Sequence, residues 1–387
     1  MAKRYLRVMS TLNPESGGVV TAVSESVNFH NENTEDVFDI VCFDGEWQSK
    51  GECGKGDVYS FRSFSGYRFS LSFIIWFWKN CQRYDAIIID GIWQFFVFSG
   101  YLAYIRRVPY FVFTHGMLDR YFNRFIFKYL KKLPFWFVVE RNVMQLARGV
   151  IFTTEEEFES SRLSFPLFIA RDVYAPLGIE KPSADKISVG KELFMARFPQ
   201  LEGKAFSLFL SRIHEKKGVE ILVDLVGEDE FSEQLLVIAG PDDNDYAAVI
   251  KREIGRRGLS DRVVWTGMLK GDIKWGAYSL ADVFLLPSHQ ENFGLVVPEA
   301  LSVALPVIIT DKVNIFNDVI KYSCGVVTKD NSDDFIAGYR RWLEICQMQG
   351  GMKDSAIKCF DDCYSQDTAA EKFLTVLGGG GQNVSAS

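Results

Sequence analysis

The sequence predicts an α/β protein made of two Rossmann-like, doubly wound domains. Its 387 residues exceed what one ordinary core holds, so two domains of about 150 to 200 residues each are the natural expectation. Short apolar runs alternate with longer helical stretches, and this scheme occurs twice along the chain. Continuous apolar runs of this kind are typical of parallel strands that are buried on both faces.

Six strands are predicted in each half. Those of the first half are YLRVMST, VFDIVCF, YDAIIID, YFVFTHG, GVIFTTE and DVYAPLG. Those of the second half are FSLFLSR, EQLLVIAG, RVVWTGM, DVFLLPS, PVIITD and GVVTKD. Strands that alternate with helices in this way predict a doubly wound parallel sheet in each half.

Composition places the domain boundaries. Residues 1–178 are the predicted N-terminal domain, and residues 205–365 are the C-terminal one. The stretch 179–204 has turn residues, mixed charge and no clear strand, so it is interpreted as a linker. Residues 366–377 predict a last amphipathic helix that packs back on the N-terminal domain. The glycine-rich tail 378–387 has nothing to bury and is expected to be disordered.

Charge is unevenly distributed along the chain. The net charge is -7, but residues 101–150 carry +7 and the remainder -14. One basic, aromatic-rich segment in an acidic protein favours contact with an anionic surface over general nucleic-acid binding, and no nucleic-acid partner is expected. The segment 116–143 fits a helix that lies on an anionic membrane. It equally fits a helix that packs its aromatic face into the N-terminal domain.

Several features predict a cytoplasmic protein. The seven cysteines are scattered and lack CxxC spacing, as expected of reduced thiols. The N-terminus lacks the apolar region of a signal peptide. The longest apolar runs, 69–78 and 92–105, are shorter than the roughly 18 residues of a membrane-spanning helix. With the basic segment, these features predict a peripheral position at the inner face of the cytoplasmic membrane.

The residues that follow strands are the candidate site residues, because ligands bind beyond the carboxyl ends of strands in open parallel sheets. Arg212 and Lys217 follow the first strand of the second half, where two cations could clamp a diphosphate leaving group. A solvated charged turn is the alternative. Gly17 and Gly18 follow the first strand of the other half and would expose backbone N–H groups to an anion.

Three of the four histidines, His115, His214 and His289, also occur just after strands. An isolated histidine is more often structural, but this clustering favours a site role for His115. No metal site is predicted, since PDDND at 241–245 fits a turn and FDD at 360–362 fits a helix surface.

A pair of acids follows the strand DVFLLPS. Glu291 lies in the loop, and Glu299 lies in the first turn of the next helix with Pro298 near its start. Helix-dipole complementarity would explain Glu299 alone, but it does not explain Glu291. A carboxylate can accept two hydrogen bonds from neighbouring hydroxyls, as on a ribose or a hexose.

These residues resemble glycosyltransferase family 4 of the two-domain GT-B glycosyltransferases, whose hallmark is two glutamates separated by seven residues. The resemblance covers nearly the whole chain. In family order the sequence has GG, HG after a strand, RxxxxKG, AGP, ADVFLLPS, the two glutamates and PVIITD. It implies two Rossmann-like domains that face each other across a cleft, the first on the acceptor side and the second binding a nucleotide sugar.

The resemblance also implies residue roles. Glu299 would hold the donor ribose, and Glu291 would contact the donor sugar near its reacting centre. Arg212 and Lys217 would neutralise the diphosphate without a metal or another cofactor, and His115 would lie close to the donor sugar. Further donor contacts would come from Gly17, Gly18, Gly240, Gly267, Met268, Asn292, Phe293 and Gly294.

One position departs from the family pattern. Relatives often carry a histidine before a Gly-Leu-Trp-like turn, whereas Asp90 precedes Gly91 and Trp93 here. This departure bears on acceptor recognition, and Asp90, Trp93 and Asp119 are the candidate acceptor residues.

The predicted function is that of a retaining hexosyltransferase with a UDP- or GDP-linked donor. Its acceptor would be a lipid-linked glycan in the synthesis of O-antigen, capsule or exopolysaccharide. Front-face attack and a covalent intermediate both remain open as the retaining mechanism. The alternatives are a nucleotide-sugar 2-epimerase, which incubation with donor alone would separate by product, and an inactive sugar-nucleotide-binding protein, which would require a broken site.

Overall fold

The computed structural model describes residues 2–45, 49–64, 66–123, 126–348 and 352–379. The chain divides into two compact units, one formed by Met1–Gly178 with Gln366–Ser387 and the other by Ile179–Ser365. Each unit contains a largely parallel sheet with helices, so the predicted fold class of two Rossmann-like α/β domains is confirmed. Most of the tail that was expected to be disordered, 380–387, lies outside the described residues.

The described part of the first unit holds a sheet with the strand order β3-β4-β2-β1-β5-β6-β7-β8. Its strands are β1 (Arg4–Met9), β2 (Val37–Cys42), β3 (Ser49–Cys53), β4 (Gly56–Ser60), β5 (Ala86–Asp90), β6 (Tyr110–Phe113), β7 (Gly149–Phe152) and β8 (Asp172–Tyr174). Neighbouring strands are parallel except β3 and β4, which are antiparallel. These two strands were not predicted, because SKGEC and GDVYS contain few apolar residues.

Helices connect these strands. They are α1 (Gly18–Asn33), α2 (Leu71–Asn80), α3 (Ser99–Ile105), α4 (Ile126–Phe135), α5 (Arg141–Leu146) and α6 (Glu155–Arg162). A π-helical stretch, Trp136–Glu140, joins α4 to α5. The core beneath α2, α3 and this stretch is rich in aromatic residues and includes the fully buried side chains of Phe73, Phe77 and Trp136.

The second unit has a fully parallel sheet in the order β11-β10-β9-β12-β13-β14. Its strands are β9 (Phe206–Leu210), β10 (Leu235–Ala239), β11 (Val263–Gly267), β12 (Val283–Leu286), β13 (Val307–Thr310) and β14 (Gly325–Thr328). Its helices are α7 (Ala184–Arg197), α8 (Val219–Gly227), α9 (Asp245–Arg256), α10 (Asp272–Leu280), α11 (Val296–Ser302), α12 (Phe316–Tyr322), α13 (Ser332–Met348) and α14 (Met352–Cys363). The strand order reverses between β9 and β12, and ligands of doubly wound folds bind at such a switch point.

The predicted linker 179–204 contains α7 and belongs to the second unit. Two glycines allow α7 to pack closely on α10. A Cβ on Gly190 would lie 2.1 Å from the carbonyl oxygen of Asp272, and one on Gly276 would lie 2.0 Å from that of Gly190. The sequence shows little amphipathic pattern here because a glycine contact, not an apolar stripe, forms this interface.

The last helix, α15 (Gln366–Gly378), lies in the first unit. The ring of Phe373 packs 5.9 Å from the ring of His30 and 6.2 Å from that of Phe38, measured between centroids. Among the described residues, no helix is both long enough and apolar enough to cross a membrane.

Candidate functional site

The loops that follow β9 and β12 are joined at the switch point of the second unit. The amide of His289 donates to the carbonyl of Lys216 over 2.8 Å. Gly218 has a φ of 65°, and a Cβ there would lie 2.0 Å from the carbonyl oxygen of Pro287. Both the left-handed backbone and this approach require glycine. The backbone that carries Lys217 is therefore fixed against the loop that carries Glu291.

The site is centred on an ion pair between the ammonium of Lys217 and the carboxylate of Glu291. The two side chains are 11% and 20% exposed. Burial lowers the pKa of Lys217, and the charges of Arg212 and Lys216 act in the same direction. The adjacent carboxylate of Glu291 favours the charged form of the ammonium. The arrangement is a largely desolvated cation in the loop predicted to bind the diphosphate.

Backbone contacts fix the loop that holds Glu291. The amide of Glu291 donates to the carbonyl of Lys312 over 2.9 Å, and its carbonyl accepts from the amide of Asn314 over 3.1 Å. Gly294 has a φ of 68°, and a Cβ there would lie 3.0 Å from Cγ of Glu291. Loops after three strands, β9, β12 and β13, thus position the carboxylate.

Arg212 is exposed and follows β9 directly. Its charge acts on Lys217, so the two predicted diphosphate ligands are electrostatically coupled. An exposed guanidinium beside a buried ammonium can neutralise a dianionic group and bind it in a bidentate manner.

Glu299 is held by two residues that the sequence analysis did not select. Lys274 Nζ lies 3.0 Å from its Oε1, and the Tyr278 hydroxyl donates to its Oε2 over 3.0 Å. The helix α11 begins at Val296, so Pro298 is its third residue and Glu299 lies in its first turn. Each carboxylate oxygen retains acceptor capacity. In the sequence, only their spacing of one helical turn on α10 could have indicated that the side chains of Lys274 and Tyr278 lie together.

The remaining donor residues predicted in the second unit have different surroundings. Phe293 packs its ring against Tyr364 with 5.6 Å between centroids and is 4% exposed, so it offers only backbone groups. Asn292 Oδ1 accepts from Asn314 Nδ2 over 3.3 Å. A Cβ on Gly240 would lie 1.9 Å from the Ser211 carbonyl oxygen, so this glycine allows the loops after β9 and β10 to touch.

Gly267 and Met268 lie at the end of β11. Gly267 has a φ of 66° with open space around its Cβ position, and Met268 is 55% exposed. Both therefore border solvent at the carboxyl edge of the sheet, where a planar ligand would have access.

In the first unit, His115 is part of a buried chain of charged and polar groups. His115 Nε2 lies 2.8 Å from Asp90 Oδ1, and Arg7 Nε donates to Asp90 Oδ2 over 2.8 Å. A second hydrogen bond joins Arg7 Nη2 to Asp90 Oδ1. Burial acts to raise the pKa of Asp90, but the charge and hydrogen bonds of Arg7 and the hydrogen bond with His115 lower it. Asp90 is therefore ionised at neutral pH.

Two of the acceptor residues predicted in this unit, Asp90 and Asp119, are buried, and Trp93 is half-buried. The Asp90 side chain is 2% exposed and both its oxygens are engaged, so it is not presented to a sugar acceptor. Trp93 has a φ of 68° and packs 5.1 Å from Phe165, measured between ring centroids. Asp119 is 8% exposed, and its Oδ1 accepts from the amide of Tyr121 over 2.7 Å. These positions correct the interpretation of Asp90 as an acceptor ligand.

Gly17 and Gly18 are exposed at the start of α1. Gly17 has a φ of 123° and no heavy atom within 4 Å of a Cβ position. The other two histidines that follow strands are structural. His214 Nδ1 accepts from the amide of Lys216 over 3.1 Å, and His289 Nε2 lies 2.7 Å from Glu220 Oε1.

Across the described ranges, no group of three or more His, Cys, Asp or Glu side chains is arranged to hold a metal ion. The predicted turn at 241–245 contains Asp242, which pairs with Lys251.

Residues 191–358, within the second unit, match the model of the family described as Glycosyl transferases group 1. The chain is 31% identical over 173 residues to "Uncharacterized glycosyltransferase MJ1607" of Methanocaldococcus jannaschii, covering 44% of this chain and 43% of that protein. It is 32% identical over 180 residues to "Alpha-D-kanosaminyltransferase" of Streptomyces kanamyceticus, covering 46% of each. The matched part thus spans less than half the length of these curated relatives. The model and both relatives support a group 1 glycosyltransferase assignment for the matched segment.

A solved structure extends the likeness in fold to the whole chain. The Anabaena protein Alr3699/HepE, solved in complex with UDP, has a TM-score of 0.73 at 17% identity and covers 98% of this chain and 100% of that one. At this identity the likeness concerns the fold, which is the GT-B fold expected from the sequence.

Proposed function

We propose that the protein is a retaining hexosyltransferase of the family 4 type. It transfers a hexose from a UDP- or GDP-linked donor to a lipid-linked glycan during synthesis of a surface polysaccharide. The ion pair of Lys217 and Glu291 carries the proposal, because it places a cation for the leaving diphosphate beside a carboxylate for the transferred sugar.

The cations act on the bond that breaks. Cleavage of the anomeric carbon–oxygen bond leaves negative charge on the diphosphate. Lys217 is positioned by its loop, and Arg212 lies close enough for the two charges to interact. Fixed cations in a partly desolvated site stabilise developing charge more strongly than solvated ones. Nucleotide binding would in turn replace Glu291 as the partner of the ammonium and release this carboxylate towards the sugar.

Glu299 supplies the nucleotide contact. Its two oxygens are oriented by Lys274 and Tyr278, so the carboxylate can accept from the two hydroxyls of a ribose. The UDP complex of the Anabaena protein supports a nucleotide-linked donor, and the name of the kanosaminyltransferase supports glycosyl transfer.

A donor panel tests this function. Purified protein is incubated with UDP- and GDP-hexoses and scored for nucleotide release and for sugar transfer. We expect K217A and E291A to lose at least about 100-fold in turnover. K321A, which removes an exposed lysine from α12 of the same unit, should match the wild type. Wild-type-like turnover by both site variants would contradict the site assignment, and epimerised donor without transfer would favour the 2-epimerase.

The membrane part of the proposal rests on exposed apolar residues of the first unit. In the basic segment, Ile126, Phe127, Leu130 and Val138 are 63%, 78%, 51% and 67% exposed. Trp136 of the same segment is fully buried. The segment thus has one apolar face in the core and another open to a partner.

The exposed face continues onto two neighbouring helices. Leu71, Ile75 and Trp78 of α2 and Tyr104 and Ile105 of α3 are each at least 41% exposed. Arg106 lies 4.9 Å from the centre of the Trp78 ring, which links α2 to α3. The Tyr101 hydroxyl donates to the carbonyl of Val138 over 2.9 Å, which links α3 to the basic segment. Apolar side chains flanked by arginine and lysine fit the interface of an anionic bilayer.

Co-sedimentation with vesicles of anionic or neutral lipid tests this surface. F127S combined with K131E should weaken binding to anionic vesicles at least about tenfold. I320S, which removes a 57% exposed apolar side chain from the other unit, should have no effect. Equal sedimentation of all three proteins would contradict the membrane proposal.

A further inference from the structure

The imidazole of His115 stacks on the ring of Phe113 with 3.9 Å between centroids, but only one of its nitrogens has a hydrogen-bond partner among the described residues. Its side chain is 1% exposed and its Nε2 contacts Asp90. Its Nδ1 is buried and has no hydrogen-bond partner among the described residues. A buried polar atom without a partner costs about 1–3 kcal/mol and needs an explanation. A ligand that completes the hydrogen bond supplies one.

Asp90 determines which ring nitrogen carries the proton. Arg7 has only donor groups, and both oxygens of Asp90 face them. The ionised carboxylate can only accept, so the His115 nitrogen that faces it must be a donor. In the neutral ring this places the hydrogen on Nε2 and leaves Nδ1 as an acceptor.

The backbone of His115 is fixed as well. Its φ is 47°, in the left-handed region that non-glycine residues rarely adopt. The carboxylate of Glu157 accepts from the Thr114 hydroxyl over 2.6 Å and from the Gly116 amide over 2.7 Å. Its other oxygen accepts from the amide and the hydroxyl of Thr153 over 2.8 and 2.6 Å. Glu157 therefore ties the turn on both sides of His115 to the end of β7.

We propose that Arg7 and Asp90 are positioning residues for His115. They hold the proton on Nε2 and thereby make Nδ1 an acceptor for a sugar hydroxyl. Glu157 supports the same geometry through the backbone. The inference rests on the proposed function, and it gives a task to the aspartate at which the chain departs from the family pattern.

Nitrogen-15 NMR of histidine in the donor-free protein tests the positioning. The chain has four histidines, and the H115Q spectrum identifies the signal of His115. We expect the wild type to show the Nε2–H tautomer and D90N to shift towards Nδ1–H, because the amide can donate to Nε2. D39N is the matched control, since Asp39 is a fully buried carboxylate in the same sheet that accepts from Arg4 and Tyr84. It should leave the His115 signal unchanged.

Kinetics give the second measurement. D90N should lower kcat/KM for the donor about 10- to 100-fold, the range for loss of one well-placed hydrogen bond in a desolvated site. R7K, which keeps the charge but loses the bidentate geometry, should lose less, and D39N should remain within about twofold.

An Nδ1–H tautomer in the wild type would overturn the proposal without any variant. So would an unchanged tautomer in folded D90N. The NMR measurement needs no donor, so a wild type without transferase activity would contradict the proposed function and leave the positioning result valid.

Discussion

The ammonium of Lys217 lies against the carboxylate of Glu291, which joins the loop after β9 to the loop after β12. In the donor-free protein each charge satisfies the other in a largely buried setting, where an unpaired charge would be costly. A bound diphosphate would carry two negative charges and could replace Glu291 as the ion-pair partner of Lys217. Under the proposed function, this preformed contact would supply both a cation for the nucleotide and a carboxylate for the sugar.

This pairing predicts a pH dependence in E291Q. Burial lowers the pKa of Lys217 to about 7, with Arg212 and Lys216 acting in the same direction, and the loss of the Glu291 charge in E291Q should lower it further. Because the diphosphate requires the charged ammonium, UDP or GDP affinity should fall as the pH rises, by up to about tenfold per pH unit, and the fall should begin at a lower pH in E291Q than in the wild type. Calorimetric titrations between pH 5 and 9 compare the two proteins. The same pH dependence in both would contradict this role of Glu291.

A second prediction concerns the proposed ribose contact of Glu299. Replacing a charged acceptor by an amide should weaken binding of UDP or GDP by about 10- to 100-fold in E299Q. The 2′-deoxy nucleotide provides the control ligand. The wild type should prefer the ribonucleotide, whereas E299Q should bind both forms about equally. If E299Q retains the full preference for the ribonucleotide, another residue binds the 2′-hydroxyl of the ribose.

The positions of the strands were predictable, and the pairs between side chains were not. Buried parallel strands need apolar residues on both faces, and that requirement marks β1, β5 and β9 in the sequence. The hairpin of β3 and β4 has no such requirement at the edge of the sheet, so it left no apolar run.

The partners within the site depend on strand register and helix rotation, which a single sequence does not specify. One signal was available in YLRVMST, where Arg7 is a charged residue inside a buried strand. Such a residue requires a buried counter-charge, and the parallel register of β1 and β5 brings Asp90 next to Met9. The sequence contains no comparable signal for Lys274 and Tyr278, because lysine and tyrosine are common on a half-buried helix.

The third prediction compares two glycines in the second unit. Gly218 and Gly258 have φ values of 65° and 70°. A Cβ at Gly258 would have open space, whereas one at Gly218 would meet the Pro287 carbonyl oxygen at 2.0 Å. G258A should cost about 1–2 kcal/mol of unfolding free energy for the backbone alone. G218A should cost about 1–3 kcal/mol more, because the two loops must separate.

Only G218A should also lower donor turnover, since it displaces Lys217. Chemical denaturation and the nucleotide-release assay measure the two effects. Equal losses in both variants would mean that the contact between the loops has little importance.

The last prediction concerns Glu140, which ends the π-helical stretch. Burial raises its pKa to about 8, although the hydrogen bond from the Trp93 amide to Oε1 lowers it. An unfolded glutamate titrates near 4.5, so between these values the folded protein holds a proton that the unfolded chain releases. Unfolding free energy should therefore decrease as the pH rises from about 4.5 to 8, by up to about 1.4 kcal/mol per pH unit.

E140Q keeps the acceptor for Trp93 without the ionisation and should flatten this decrease. The first unit of E140Q should then be more stable than that of the wild type at pH 8. E159Q, at a glutamate whose side chain is 58% exposed, should follow the wild-type curve. Denaturation midpoints at pH 5, 6, 7 and 8 compare the three proteins, and parallel curves for E140Q and the wild type would show that Glu140 is ionised in the folded state.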